Sequence, residues 1–234
     1  MIKAVFFDWG NTLAAWEFDP ELYLEGHRRG LAALGPQAPG QEAFTEAFGE
    51  QVLPRLLGPG EDEIDYASEV ARVLASLGVV ADADALDRFV RAENLVWRPR
   101  HELEPTVLDL LDALRERGLR VGLVSNLFDP PQLMRQLFAE IGLLARLDAL
   151  AVSAEVGKRK PSPAIFEAAL AQAGVTAAEA VMVGDRLRED VAGAQAVGMS
   201  AIQATWFADD DSGLATPDAR ASEPADVLQF LGTT

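Results

Sequence analysis

The sequence predicts an α/β fold: a parallel sheet with helices on both faces, interrupted after its first strand by an all-helical insertion. Three observations carry this prediction. From Val107 onward, amphipathic helical stretches alternate with short apolar runs, the pattern of a sheet covered by helices on both sides. The N-terminal run KAVFF, residues 3–7, reads as a buried strand that needs the same sheet. Between them, from Asp19 to about Val96, apolar residues recur at helical spacing and no strand-like alternation appears. Residues 1–14 and 100–234 are therefore expected to form one α/β core domain. Residues 15–99 are expected to form a helical cap domain, with WRPRHELEP, 97–105, as the return hinge.

After strand 3–7, PELYLEGHRRGLAALG carries Asp19 as N-cap and Pro20 at the first helical position. QEAFTEAFGEQVLPRLLG follows, with Pro54 near its end. DEIDYASEVARVLASLG and DADALDRFVRAENLVW complete four helical stretches, separated at the Gly/Pro-rich junctions GPQAPG and GPGED. The second half reads as helix TVLDLLDALRERG, strand LRVGLVSN, helix PQLMRQLFAEIG and the short apolar segment LDALAVS. Then come helix SPAIFEAALAQAG, strand AVMVGD, helix REDVAGAQAVG, strand SAIQAT and a closing helix EPADVLQFLG. The polar stretch 208–221 reads as a surface loop.

Composition narrows the function. With 234 residues and 49% apolar content the chain can bury a core without covalent staples. It has no cysteine, which excludes disulfides, thiolate metal sites and a Cys nucleophile. MIKAVFFDWG lacks the features of a signal peptide, and no apolar run approaches the ~20 residues that cross a bilayer, so a cytoplasmic protein is expected. The formal net charge of −17 repels nucleic acid and anionic lipid. It still permits a small anionic substrate if positive charge is gathered in one pocket. Only three lysines exist, and two of them, Lys158 and Lys160, lie in GKRKP.

In a doubly wound sheet, ligands bind beyond the carboxyl ends of the strands. Asp8 ends the first strand, Ser125-Asn126 the second, and Asp185 stands after AVMVG with Asp190 five residues on. Lys160 follows LDALAVS. An Asp, Ser or Asn after a strand is alone compatible with helix capping, and a lone Lys-Pro carries little signal. Together they put three carboxylates, a hydroxyl and an ammonium at one sheet edge, which requires a counter-ion or a task. Carboxylate oxygens without His or Cys suit Mg²⁺ better than zinc. An ionised Asp beside such a metal and Lys160 could attack phosphorus, with Ser125, Lys160 and turn amides holding the non-bridging oxygens.

These residues resemble the four ordered motifs of the haloacid dehalogenase-like hydrolase superfamily: Asp8 in FFDWGNTL, Ser125 in LVSN, Lys160 in GKRKPSPAIF, and Asp185 and Asp190 in VGDRLREDVAGAQAVGM. The helical insertion resembles that family's C1-type cap. The resemblance implies a Rossmann-like core, an aspartyl nucleophile at Asp8 and a mobile cap. It implies Ser125, Asn126 and Lys160 around a phosphate. It also implies Mg²⁺ held by Asp8, the Gly10 carbonyl and Asp185, with Asp190 in support directly or through water.

One position departs. Phosphatases of this family usually carry a second Asp two residues after the nucleophile, as general acid and base; here it is Gly10. Removing such a group costs about 10²–10⁴-fold. Haloacid dehalogenases, which need no metal, also lack it, but the acidic GDRLRED pattern argues against that chemistry. Phosphonatases need a cap lysine, and residues 15–99 contain none. The leading expectation is a Mg²⁺-dependent phosphatase for a small phosphorylated metabolite. The alternatives are a metal-independent 2-haloacid dehalogenase and a non-catalytic phosphate-binding member. Hydrolysis without residue 10 requires a labile aryl or acyl leaving group, or a proton carrier from the cap, for which Glu17, Asp19 and His27 are candidates. Trp9 either covers the leaving group or enters the core. Arg186 and Arg188 either attract phosphate or balance the nearby carboxylates. The cap aromatics Trp16, Phe18, Tyr23, Phe44, Phe48, Tyr66 and Trp97 are expected mainly to pack the cap interior.

Overall fold

The computed structural model of the protein describes residues 1–98 and 102–233; residues 99–101 of the expected return hinge lie outside the described residues. Its strands are β1 (Ala4–Phe7), β2 (Arg120–Ser125), β3 (Ala149–Val152), β4 (Ala180–Gly184), β5 (Ser200–Ala204) and β6 (Ala219–Ala221). They form one sheet in the order β3-β2-β1-β4-β5-β6, with every pairing parallel. The helices are α1 (Pro20–Leu34), α2 (Gln41–Gln51), α3 (Leu53–Leu56), α4 (Tyr66–Ser76) and α5 (Ala83–Trp97), then α6 (Val107–Glu116), α7 (Pro131–Glu140), α8 (Ser153–Val156), α9 (Pro163–Ala173), α10 (Gly193–Ala196) and α11 (Asp226–Thr233).

The alternation of side chains along β1 builds both core layers. Val5 and Phe7 join Leu111, Leu114 and Phe138 on one face, while Ala4 and Phe6 join Ile165, Phe166 and Ala169 on the other. Burying each of the two Phe side chains stabilises by about 1.5–3 kcal/mol. Because both faces are covered, the strand has no polar residue until it ends. β1 is also where the strand order turns, with β2 on one side and β4 on the other, and a crevice opens at such a point.

Helices α1–α5 all fall between β1 and α6 and share a separate apolar cluster that includes Leu31, Phe44, Phe48, Val70, Leu74 and Phe89. Asp19 caps α1, accepting from the Glu21 and Leu22 amides. Asp65 and Asp82 cap α4 and α5 in the same way. Asn94 Nδ2 ties α5 to the loop after β2 by donating to Asp129 Oδ1 at 2.7 Å, and Tyr66 packs on Phe128 with ring centroids 5.2 Å apart.

Three local differences from the sequence expectation have physical causes. The stretch 62–78 becomes helical only at Tyr66, because the residues before it bond elsewhere. Glu63 N–H donates to the Gly157 carbonyl at 3.2 Å, and Arg159 N–H donates to that of Glu61 at 2.7 Å. The second expected helical stretch divides at Val52, so that α2 and α3 are distinct. Within the expected 208–221 loop, residues 219–221 form the edge strand β6, a three-residue run too short to announce itself by periodicity.

Candidate active site

Three strand ends and one loop supply the site. The Asp8 amide donates to the Val183 carbonyl at 2.9 Å, continuing the β1–β4 register for one residue and fixing where its carboxylate emerges. The chain then turns tightly: Leu13 and Ala14 N–H both donate to the Trp9 carbonyl at 3.0 Å, and Asn11 adopts φ 52°. Asn11 Oδ1 accepts from Trp16 N–H at 3.0 Å, which suits an Asx-type residue at that backbone position. Asp185 follows β4. Asp190 lies on the π-helical turn Leu187–Ala192 and accepts from Arg186 N–H at 3.0 Å through Oδ2. Gly184 makes the close approach possible, since a Cβ there would stand 2.2 Å from Asp190 Cγ.

Asp8, Asp185 and Asp190 are all buried, and one carboxylate oxygen from each lies within 4.8 Å of the others. Lys160 Nζ donates to Asp8 Oδ1 and to Asp190 Oδ1, both at 2.6 Å. Burial lowers the Lys160 pKa, but the carboxylates of Asp190 and Asp8 outweigh it and hold the ammonium above its ordinary value. Asp185 is pushed up by burial, then by the charges of Asp190 and Asp8. Asp190 is raised by burial against the opposing pull of Lys160. Asp185 Oδ1 is buried with no hydrogen-bond partner among the described residues. A buried acidic trio with one lysine and one orphaned oxygen is short of positive charge. A hard divalent cation fits that donor set.

Ser125 is buried at the end of β2. Asn126 grips the backbone of Lys160: its Oδ1 accepts from Lys160 N–H at 2.7 Å and its Nδ2 donates to the Lys160 carbonyl at 3.2 Å. That pair of hydrogen bonds holds the lysine backbone in place. Gly10 is half-buried with φ outside the left-handed region, and an added Cβ would meet only Trp16 Cβ, at 3.7 Å.

The other candidates separate. Trp9 enters the core, 1% exposed and 4.9 Å from the Phe138 ring. His27 is enclosed by Tyr23, Phe44 and Phe48, its Nδ1 2.9 Å from Thr45 Oγ1, and burial pulls its pKa down to about 4. It is a neutral interior histidine of the helical insertion. Asp19 is engaged as the α1 cap, and Glu17 is exposed. Phe44 and Phe48 are buried in the helical cluster, whereas Trp16 and Phe18 are 42% and 44% exposed. Arg186 and Arg188 find their carboxylate partner in Glu189, at 3.8 and 3.3 Å.

A cavity of about 230 Å³ opens beside Lys160, walled by Gly58, Pro59 and Gly60 and by Arg159, Arg186 and Arg188. In the sequence, GPGED at 58–62 reads as a junction between helices. Its place at the site comes from hydrogen bonds between residues about a hundred positions apart, Arg159 Nη1 to the Leu56 carbonyl at 2.9 Å and Arg188 Nη2 to that of Pro59 at 3.2 Å. No local sequence signal carries such contacts.

The sequence and fold can be set beside known proteins. A phosphoserine phosphatase from Thermus thermophilus is 35% identical over 220 residues, 94% of this chain and 74% of that protein. The solved structure of a haloacid dehalogenase-like (HAD) phosphatase from Thermococcus onnurineus superposes with a TM-score of 0.67 at 25% identity, covering 99% of this chain and 98% of that one. A 2-haloacid dehalogenase from Pseudomonas syringae superposes with a TM-score of 0.72, also at 25% identity, covering 100% of this chain and 99% of that one. Phosphatase and dehalogenase thus share this backbone, and the side chains must distinguish them. The family model for haloacid dehalogenase-like hydrolases matches residues 2–198. The chain belongs to the haloacid dehalogenase-like hydrolase family.

Proposed function

We propose that the protein is a Mg²⁺-dependent phosphatase that hydrolyses a small phosphorylated metabolite in the cytoplasm through an aspartyl-phosphate at Asp8. The observation that carries this reading is the buried trio Asp8, Asp185 and Asp190 around Lys160, with Asp185 Oδ1 unpartnered among the described residues. A relative named for phosphoserine hydrolysis supports it. Asp8, the Gly10 carbonyl, Asp185 and Asp190 would hold the metal. When bound, Mg²⁺ would offset the repulsion between an anionic nucleophile and an anionic ester.

The residues then divide the work. The Lys160 contact engages Asp8 Oδ1, so Oδ2 is the oxygen assigned to attack. Ser125, Asn126 and Lys160 surround the non-bridging oxygens, with Asn126 acting mainly by fixing the Lys160 backbone. As the Asp8 oxygen bonds to phosphorus, the ester P–O bond breaks and the leaving oxygen departs with its electron pair. Water then attacks the acyl phosphate, releasing phosphate and restoring the Asp8 carboxylate. With no proton donor at residue 10, the first step favours an acidic leaving group. Residues 15–99 serve as a cap over a core made of 1–14 and 100–234, and the hydrogen bonds of residues 56–63 with 157–159 support that arrangement.

The dehalogenase reading takes support from the dehalogenase fold match and from the absence of a carboxylate at residue 10. It leaves Asp185 and Asp190 buried with no task. Turnover of phenyl phosphate with Mg²⁺, lost in EDTA and in Asp8→Asn, is the expected result. Halide release from 2-chloropropionate in EDTA would establish the dehalogenase instead. Binding of Mg²⁺ and inorganic phosphate with no turnover of any phosphomonoester would establish a binding protein.

A further inference from the structure

The chain carries 37 acidic and 20 basic side chains, yet four cations converge on one small cavity. Lys160, Arg159, Arg186 and Arg188 line it against a single carboxylate, Glu189. Two of these cations are already engaged. Lys160 is held by Asp8 and Asp190, and Arg159 lies 3.9 Å from the buried Glu63 and donates to the Leu56 carbonyl. Arg186 and Arg188 differ. Among the described residues the Arg186 guanidinium makes no hydrogen bond; its one ion pair is with Glu189 Oε1 at 3.8 Å, and Asp185 and Asp210 feel its charge at longer range. Arg188 shares that same oxygen at 3.3 Å. Arg188 Nη2 also donates to the Pro59 carbonyl at 3.2 Å, so the two guanidiniums share one carboxylate oxygen and one carbonyl, and most of their donors remain available to a ligand.

The Arg186 backbone is nevertheless fixed. Its carbonyl accepts from Asp190 N–H at 2.9 Å and its N–H donates to Asp190 Oδ2 at 3.0 Å, so it is locked into the turn that carries the acidic trio. Across the cavity the wall is Leu57 and the backbone of Gly58, Pro59 and Gly60, which bring no side-chain hydroxyl or amide. Asn126 is occupied with Lys160. A polyhydroxylated leaving group would find few partners there. A planar carboxylate would find a guanidinium fork. The volume of about 230 Å³ lies below the range of ~300–1,000 Å³ typical of drug-sized ligands and suits a small acid.

We propose that this cavity is a second anion subsite, in which Arg186 and Arg188 bind a carboxylate on the leaving group, so that the substrate is a small phosphomonoester carrying a carboxylate within a few carbons of its ester oxygen. The assignment rests on the phosphatase reading for the first subsite, but its test does not require turnover.

The test is calorimetric binding, in Mg²⁺, of two non-hydrolysable probes: phosphonoacetate, which carries both anions, and ethylphosphonate, which carries one. The wild-type protein is expected to bind phosphonoacetate about tenfold tighter or more. The double variant R186Q/R188Q should lose that preference while keeping its ethylphosphonate affinity within about twofold. Glu189→Gln, which frees both guanidiniums, should strengthen phosphonoacetate binding. A melting temperature close to wild type checks that each variant is folded. Equal wild-type affinity for the two probes, failure to bind either, or a preference that survives R186Q/R188Q overturns the subsite. If the preference is present but no phosphomonoester, with or without a carboxylate, is hydrolysed, the phosphatase reading fails and the subsite stands.

Discussion

Replacing Gly10 by Asp puts a proton carrier where this chain has none, and the structure permits the change. Gly10 has φ outside the left-handed region, and an added Cβ would meet only Trp16 Cβ at 3.7 Å, an ordinary contact. Removing backbone freedom from the unfolded chain should itself add about 0.4–1 kcal/mol of stability. A positioned general acid contributes about 10²–10⁴-fold, or ~2.7–5.5 kcal/mol of barrier. Gly10 is half-buried, and the new side chain brings rotamers of its own, so the lower end, about 10²-fold, is the expectation for ethyl phosphate. An aryl ester such as p-nitrophenyl phosphate leaves without a proton, so its kcat should change by less than about tenfold. Phosphate release from the two esters, measured in parallel with wild type, gives the answer. Equal acceleration of both, or no acceleration of ethyl phosphate by a variant with an unchanged melting temperature, would refute the reasoning.

Lys160→Met removes the cation bonded at 2.6 Å to Asp8 and Asp190, and kcat for phenyl phosphate should fall by about 10²–10³-fold or more. A fall of less than about fivefold would show that Lys160 is structural. Gly184→Ala places a methyl 2.2 Å from Asp190 Cγ and should destabilise by about 1–3 kcal/mol in thermal or urea unfolding. It should also weaken Mg²⁺ binding; unchanged stability and metal affinity would contradict the packing described for that turn. Glu93, pushed up to about 8 by burial, makes stability depend on pH. Its folded pKa lies above the unfolded value of 4.5, so its contribution is complete below about pH 4.5 and is lost as pH rises towards 8. His27 is lowered and changes slope only below its unfolded value of 6.5. Between about pH 6.5 and 8, Glu93→Gln should therefore gain about 2 kcal/mol relative to wild type, read from urea unfolding across that window. A constant difference would mean that Glu93 does not titrate there.

The parts of the fold written in local pattern were legible in the sequence. β1 shows itself because both faces of Ala4–Phe7 are buried and the run stops at a carboxylate. The cap Asp19 belongs to the same class, being a short-range hydrogen bond between neighbours in sequence. What was not legible depends on contacts between distant residues. The start of α4 shifts because residues 61–63 bond to 157–159, a choice no helical periodicity records. His27 looks like a proton carrier in the sequence. It becomes an interior group because its face of α1 turns towards Phe44 and Phe48 of α2. At the site, strand-end position brought Asp8, Asp185 and Asp190 to notice. The bidentate hold of Asn126 on the Lys160 backbone and the cavity facing Gly58–Gly60 appear only once β2 and the segment after β3 lie side by side.

The central claim is that Asp8 carries the phosphoryl group. Acid quenching during turnover of p-nitrophenyl phosphate in Mg²⁺, followed by mass spectrometry of the peptide containing FFDWGNTL, tests it most directly. One added phosphoryl group on Asp8, absent in Asp8→Asn and in EDTA, is the predicted result. Turnover that persists in Asp8→Asn, or a phosphoryl group found on any other residue, would contradict it.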